Sequence, residues 1–292
     1  MDVKLALWSV LLHLLILKGA CEGTGSMEMD GEILSSHRAH KHNTPADMRI
    51  KQVDSHSSSH MHHMDSSLIV FFFVEDLKEG NTMPIYFPRR ELQASHILSR
   101  EEADSIPFSS QDLDNLLQFF SFSQGSPQAI AMKDTLRECE TKPIKGETKF
   151  CATSLESMLD FTKTILGSQT EIKFLSTTHL TQSNTLLQKY TVMGFQEIPA
   201  PKMVACHTMP YAYAVFYCHY QKSKSRVFKV SLTGENGDKV EAIAVCHMDT
   251  SQWSHNHVSF QVLGIEPGSS PVCHFFPADN FVLVPSTSPT QA

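Results

Sequence analysis

Val240-Glu241-Ala242-Ile243-Ala244-Val245-Cys246-His247-Met248 reads as a buried β-strand with a cysteine and a histidine near its end. Small and β-branched residues fill it, and a strand turns neighbouring side chains to opposite faces. Gly234-Glu235-Asn236-Gly237-Asp238 precedes it as a hairpin turn, and residues 227–232 supply the strand before that turn. Residues 173–175, 211–219, 258–263 and 272–276 carry similar strand patterning. From Glu171 onward the chain is therefore expected to be largely antiparallel sheet.

Upstream the pattern differs. Residues 68–74 form a β-branched and aromatic run that reads as a buried strand, and Gly80-Asn81 with Pro84 marks a turn. The next hundred residues look helical. Ser126-Pro127 supplies an N-cap and a first-turn proline. Thr153-Ser154-Leu155-Glu156 fits a capping box, after which Leu155, Met158, Leu159, Thr162 and Ile165 share one helix face and Gly167 ends it. The expected fold class is α+β: a helical N-terminal half, then a largely antiparallel β-sheet carrying four Cys-His pairs.

The chain has 292 residues and a formal charge of -7, from 24 Lys+Arg against 31 Asp+Glu. That balance excludes general nucleic-acid binding, which needs clustered cations. Lys4, the apolar run 5–17 and small residues at Gly19, Ala20, Cys21 and Gly23 read as a secretory signal over residues 1–22. The run is too short to span a bilayer comfortably, and no apolar run of 18 or more residues follows, so no membrane association is expected after cleavage. Residues 23–67 read as a His/Ser-rich disordered linker, and residues 68–292 as the folded domain. His60-Met61-His62-His63-Met64 in that linker has soft-metal ligand types, although a solvated linker of this composition is the simpler reading.

An oxidising compartment changes the meaning of the cysteines. Once Cys21 leaves with the signal, Cys139, Cys151, Cys206, Cys218, Cys246 and Cys273 remain and suggest a disulfide framework with fifteen formal connectivities. Cys139 and Cys151 bracket a short link, and a bridge there would be worth roughly 3 kcal/mol. No Asn-x-Ser/Thr acceptor occurs.

Cys-His occurs four times, at Cys206-His207, Cys218-His219, Cys246-His247 and Cys273-His274, with gaps of 10, 26 and 25 residues. Adjacent strand residues face opposite ways, so a Cys and the His after it do not share an ion easily. The expectation is a division of labour: cysteines on one face as disulfides, histidines on the other as metal ligands. Imidazole-only ligation in an oxidising compartment suits Cu(II), then Zn(II). The alternative is that the cysteines staple the sheet while the histidines merely pack or face solvent. His255 and His257 would face the same way in an extended segment, and Tyr211, Tyr213, Tyr217 and His219 would share a face by parity. No nucleophile elbow, Walker loop, dinucleotide fingerprint or His-Glu-x-x-His is present, so no residue is assigned a catalytic role.

Four Cys-His pairs at these gaps resemble the signature of the plant BURP domain. Val70-Phe71-Phe72, Glu75-Asp76-Leu77-Lys78-Glu79-Gly80, Met83-Pro84 and Phe150-Cys151-Ala152-Thr153-Ser154-Leu155-Glu156-Ser157-Met158 are similar to further blocks of that family. The short linker is most like that of the unknown-seed-protein branch. The resemblance implies a plant protein of the secretory pathway, in the apoplast, cell wall or protein storage vacuole. The implied roles lie in seed and reproductive development, stress response or the cell wall. Some members are copper-dependent peptide cyclases that join Tyr or Trp side chains oxidatively. The family's metal-binding histidines carry over onto His207, His219, His247 and His274.

One departure matters. Self-modifying members carry a Tyr- or Trp-containing core peptide in their N-terminal region, and here neither residue occurs between Trp8 and Tyr86. The expectation is a non-enzymatic protein with cell-wall polysaccharide as a candidate partner, or a copper cyclase acting in trans on a separate peptide. Acidification would protonate some of the sixteen histidines, offset the -7 charge and favour acidic polymers such as pectin.

Overall fold

The computed structural model describes residues 66–88, 96–182 and 184–286. The expected signal, nearly all of the expected linker and the His60–Met64 stretch lie outside the described residues. No helix among the described residues is long and apolar enough to cross a membrane.

Two antiparallel sheets carry the fold. The first contains β1 (Phe71–Phe72), β2 (Thr82–Tyr86), β5 (Thr178–His179), β6 (Leu187–Ile198), β9 (Ser225–Gly234), β10 (Lys239–His247) and β11 (Val272–Phe276), in the order β1-β11-β10-β9-β6-β2 with β5 beside β10. The second contains β3 (Glu147–Ala152), β4 (Ile172–Leu175), β7 (Val204–Met209), β8 (Val215–Gln221) and β12 (Phe281–Pro285), in the order β3-β8-β7-β12-β4. The hairpin β9–β10 runs in register from Lys239↔Thr233 to His247↔Ser225.

Alternation along these strands makes three apolar layers. One face of the first sheet buries Phe72, Ile85, Tyr190, Phe228, Cys246, Cys273 and Phe275. The sheet curls around this layer, and Tyr86 N donates to Ile69 O at 2.8 Å where its two edges meet. The outer face of the second sheet buries Cys206, Cys218, Phe216 and Leu283 against Met158, Phe161 and Ile165 of helix Leu155–Leu166. Between the sheets, Ala205, Val282 and Val284 meet Val227, Val245 and Phe276. By strand parity, the four histidines project from these same two facing surfaces.

The antiparallel sheets and disulfides appear as expected, but the helical N-terminal half does not. The upstream region holds helices Arg100–Asp104, Leu113–Phe119, Pro127–Glu140 and Leu155–Leu166, together with strands β1, β2 and β3. Strand β3 alternates exposed and less exposed positions and completes the edge of the second sheet beside β8. Pro84, expected in a turn, sits inside β2, an edge strand, where a missing N–H is tolerated. Ser126 caps its helix as expected, its side chain accepting from Ala129 N at 3.2 Å. The second cap is shifted by one residue: Ser154, paired with Ser157, starts helix Leu155–Leu166.

Residues 258–263, read as a strand, form helix Val258–Leu263. His257 caps its first turn and left-handed Gly264 its last, and these local stops outweigh the alternating apolar pattern of Val258, Phe260 and Val262. Tyr211 and Tyr213 precede β8 and do not extend it. Tyr211 packs beside Leu116, Leu117, Met132 and Leu136 of the helical cluster, and Tyr213 makes ring contacts with Tyr211 and Phe120.

Candidate functional site

The cysteine registers position the histidines. Cys206 faces Cys218 across β7–β8, and Cys246 faces Cys273 across β10–β11; both pairs are disulfides, with Cα–Cα separations of 4.0 and 3.9 Å. The residue after each cysteine must then point to the opposite face. His207 and His219 become diagonal neighbours on the second sheet, and His247 and His274 do so on the first. Because those faces oppose one another, all four rings meet. Ring centroids are 5.5 Å apart for His207–His219, 5.7 Å for His207–His274, 5.6 Å for His247–His274 and 6.4 Å for His219–His247.

The cluster opens into a cavity of about 700 Å³. Its lining includes the four histidines together with His257, Trp253, Tyr217 and Glu147. The third disulfide, Cys139–Cys151, contributes to the rim. Cys151 pairs with Tyr217 in register, so it sits on the histidine face of β3 and ties down the end of helix Pro127–Glu140. Glu138, Thr141 and Lys142 consequently line the opening.

Three of the four histidines are held neutral. Burial, then the charges of His219 and His247, lowers His207 to about 3. Burial and neighbouring imidazoles also hold His247 and His274 well below the ordinary value. Burial raises the Glu147 carboxyl, but interactions with His219, Ile144 N–H and Tyr217 outweigh it and leave Glu147 below the usual range. Burial also pushes the Tyr217 phenol far up, so it stays protonated while its hydroxyl donates to Glu147 Oε1 at 3.3 Å.

Three of the four rings have a polar neighbour at Nδ1. His219 Nδ1 lies 3.3 Å from Glu147 Oε1, within ion-pair range but outside hydrogen-bond geometry, and it has no other partner. His247 Nδ1 is 3.4 Å from Ser225 Oγ, and His207 Nδ1 is 3.2 Å from Asn280 Nδ2. Trp253 stands edge-on to His247 with centroids 5.0 Å apart and tilts against His257 at 4.5 Å.

Four imidazoles around one ion, with metal–nitrogen bonds of about 2.0 Å, have centroids about 5 Å apart. The observed spacing is somewhat wider. Among the described residues, no three His, Cys, Asp or Glu side chains are already placed to hold a metal ion. The donor set nevertheless fits one: His207, His247 and His274 are held neutral, the four rings are gathered from two sheets, and the buried His219 Nδ1 faces a carboxylate as an outer-shell partner would. A displacement of about 1 Å would close the gap.

The expected residues divide clearly. His207, His219, His247 and His274 come together, and all six expected cysteines form disulfides. His255 and His257 separate, because the segment is a turn and not a strand: His257 lines the cavity, while the His255 side chain is 82% exposed. Tyr217 shares the face of His219, as strand parity predicts, and lines the cavity beside it, while Trp253 reaches the cavity from the irregular segment before helix Val258–Leu263. Glu147, Ser225 and Asn280 carried no sequence signal, because only strand register and the turn before β12 bring them to the rings.

The BURP domain family matches residues 70–285. BURP domain-containing protein BNM2A of Brassica napus is 48% identical over 230 residues, covering 75% of this chain and 80% of that protein. BURP domain protein USPL1 of Arabidopsis thaliana is 46% identical over 228 residues, covering 75% and 81%. BURP domain protein RD22 of Arabidopsis thaliana is 40% identical over 224 residues, covering 75% and 56%.

Proposed function

The chain belongs to the BURP-domain family, and on that premise we propose that it is a plant secretory-pathway protein of the unknown-seed-protein branch that binds copper in its histidine cavity. One observation carries the reading: the histidines of all four Cys-His pairs face one cavity while their cysteines are oxidised on the opposite faces. Those four histidines are the residues to hold the ion. Three disulfides suit the apoplast, cell wall or storage vacuole. Roles in seed or reproductive development, stress response or the cell wall fit such a location.

A second reading makes this site a peptide cross-linker acting in trans. The cavity favours it: about 700 Å³ accommodates several peptide side chains beside the histidines, and the rim carries Glu138 and Lys142. Bound copper would supply one-electron oxidation there. Joining two peptide positions removes one hydrogen atom from each, and dioxygen takes both to leave as hydrogen peroxide. In this reading the chain's own residues orient the peptide, and Glu147 is the carboxylate at the cavity wall able to receive a proton.

The test has two arms. Copper(II) titration of the mature protein is read by Trp253 emission, and copper-loaded protein is then given Tyr- and Trp-containing peptides in air. Saturable quenching supports the binding site, and its absence rejects it. A peptide mass loss of two hydrogens supports the cross-linker. No mass change leaves a copper-binding, non-enzymatic wall or vacuole protein, for which acidic polysaccharide is the partner to test.

A further inference from the structure

A second cleft, of about 500 Å³, lies where the chain crosses between the sheets. The link from β6 to β7 leaves the first sheet for the second, and the link from β8 to β9 returns; together they line this cleft. Residues 199–203 make the first link, and Pro199 and Pro201 stiffen it. Lys222-Ser223-Lys224 makes the second. It is pinned at both ends: Lys222 N–H donates to Gly146 O at 2.9 Å, and Lys224 O accepts from Met248 N–H at 3.0 Å.

The charge of the cleft opposes that of the chain. The protein carries -7 overall, yet Lys202, Lys222 and Lys224 line this space. Glu197 is the carboxylate of the lining, and Arg226 holds both its oxygens, with Nε donating to Oε1 at 3.0 Å and Nη2 to Oε2 at 2.6 Å. It therefore offsets the lysines little. Lys202 Nζ donates to Ile165 O at 3.2 Å, near the end of helix Leu155–Leu166. An ammonium has three donors, so this bond places the side chain and leaves two donors for a ligand.

Three features select the ligand. Lysines are point charges that suit a tetrahedral dianion such as phosphate, whereas a planar carboxylate favours the arginine fork, and the fork of Arg226 is already taken. Gln221 also lines the cleft, and its Oε1 is buried with no hydrogen-bond partner among the described residues. A ligand hydroxyl supplies the donor that oxygen lacks. Finally, two short links and the strand ends beside them form the lining, which fits a compact molecule better than a long polymer.

We propose that this cleft binds a compact anion with two or more phosphate groups on a hydroxylated ring, Lys202, Lys222 and Lys224 meeting the phosphates and Gln221 a ring hydroxyl. The site does not depend on copper in the histidine cavity.

Calorimetric titration of the mature protein with fructose 1,6-bisphosphate, at pH 7 and physiological salt, tests it. Saturable binding is expected, and its absence overturns the proposal. Replacing Lys222 and Lys224 together by alanine should weaken binding at least about 10-fold, since each removes a charge-assisted hydrogen bond. Lys133 lies on helix Pro127–Glu140 and Lys239 at the far end of the β9–β10 hairpin. Replacing those two together should change affinity less than about 2-fold, because salt screens distant charges. An equal loss in the two double variants means general attraction to a polyanion and overturns the site. Trigalacturonate bound as tightly as the bisphosphate overturns the phosphate assignment. Inorganic phosphate bound as tightly overturns the requirement for two groups.

Discussion

His207 and His274 stand on different sheets, yet their ring centroids lie 5.7 Å apart and both rings stack on Phe276 at 4.8 Å. Phe276 belongs to the apolar layer between the sheets, so that layer ends where the histidine cavity begins. Each sheet brings a diagonal histidine pair backed by a disulfide. Packing of the sheets converts two pairs into one cluster.

Trp253 reports on the cluster. Trp8 and Trp253 are the two tryptophans of the chain, and Trp8 lies in the expected signal. Trp253 lies 5.0 Å from His247 by ring centroids, so copper(II) bound there is expected to quench most of its emission. His247→Ala should remove the high-affinity phase. Unchanged quenching in that variant would place the metal elsewhere.

Stability and binding should separate at Met158. Its side chain is 1% exposed between helix Leu155–Leu166 and the second sheet, on the face away from the histidines. Met158→Ala is expected to cost about 2–4 kcal/mol in urea unfolding. Copper affinity at a concentration where the variant is folded should match wild type.

The disulfides are expected to contribute unequally. Cys246–Cys273 spans 27 residues and Cys139–Cys151 spans 12. Chain entropy then gives about 3.5 kcal/mol for the first and about 3 kcal/mol for the second. Replacing Cys246 and Cys273 together with alanine should also displace His247 and His274, and so lower copper affinity. Losing Cys139–Cys151 should mainly loosen the cavity rim, leaving affinity near wild type. Measured unfolding energies and affinities for the two double variants test both statements.

Metal-free protein should lose stability on acidification. His207 is lowered to about 3, and His247 and His274 also titrate well below the unfolded value near 6.5. Between about pH 6.5 and 3, the unfolded chain therefore holds more protons than the native one. Stability falls as pH falls, by up to about 1.4 kcal/mol per pH unit for each such histidine. The Tm of metal-free protein is expected to drop from pH 7 to pH 5, and a flat or rising Tm would contradict the neutral cluster.

The site was more legible in the sequence than the fold. Period two along a strand is enough to set Cys246 and His247 on opposite faces, and the same logic serves the other three pairs. Pairing was not legible, because Cys273 meets Cys246 only through the register of β11 on β10. Strand β6 gives a weak sequence signal although Gln188, Tyr190 and Val192 alternate inward, because the register shifts between Val192 and Gly194 and the alternation breaks. Helix Val258–Leu263 resembles a strand because Val258, Phe260 and Val262 alternate with Ser259 and Gln261, and the deciding signals lie outside the run, at His257 and Gly264. Asn280 could not be found at all, since only the turn before β12 brings it to His207, seventy-three residues away in sequence.

Copper content of the secreted, mature protein tests the central claim most directly, after loading with copper(II) and desalting. The account predicts one tightly held ion per chain, lost in His219→Ala and His274→Ala and kept when His60, His62 and His63 are replaced. No retained copper in wild type, or equal retention in the two cluster variants, would contradict it.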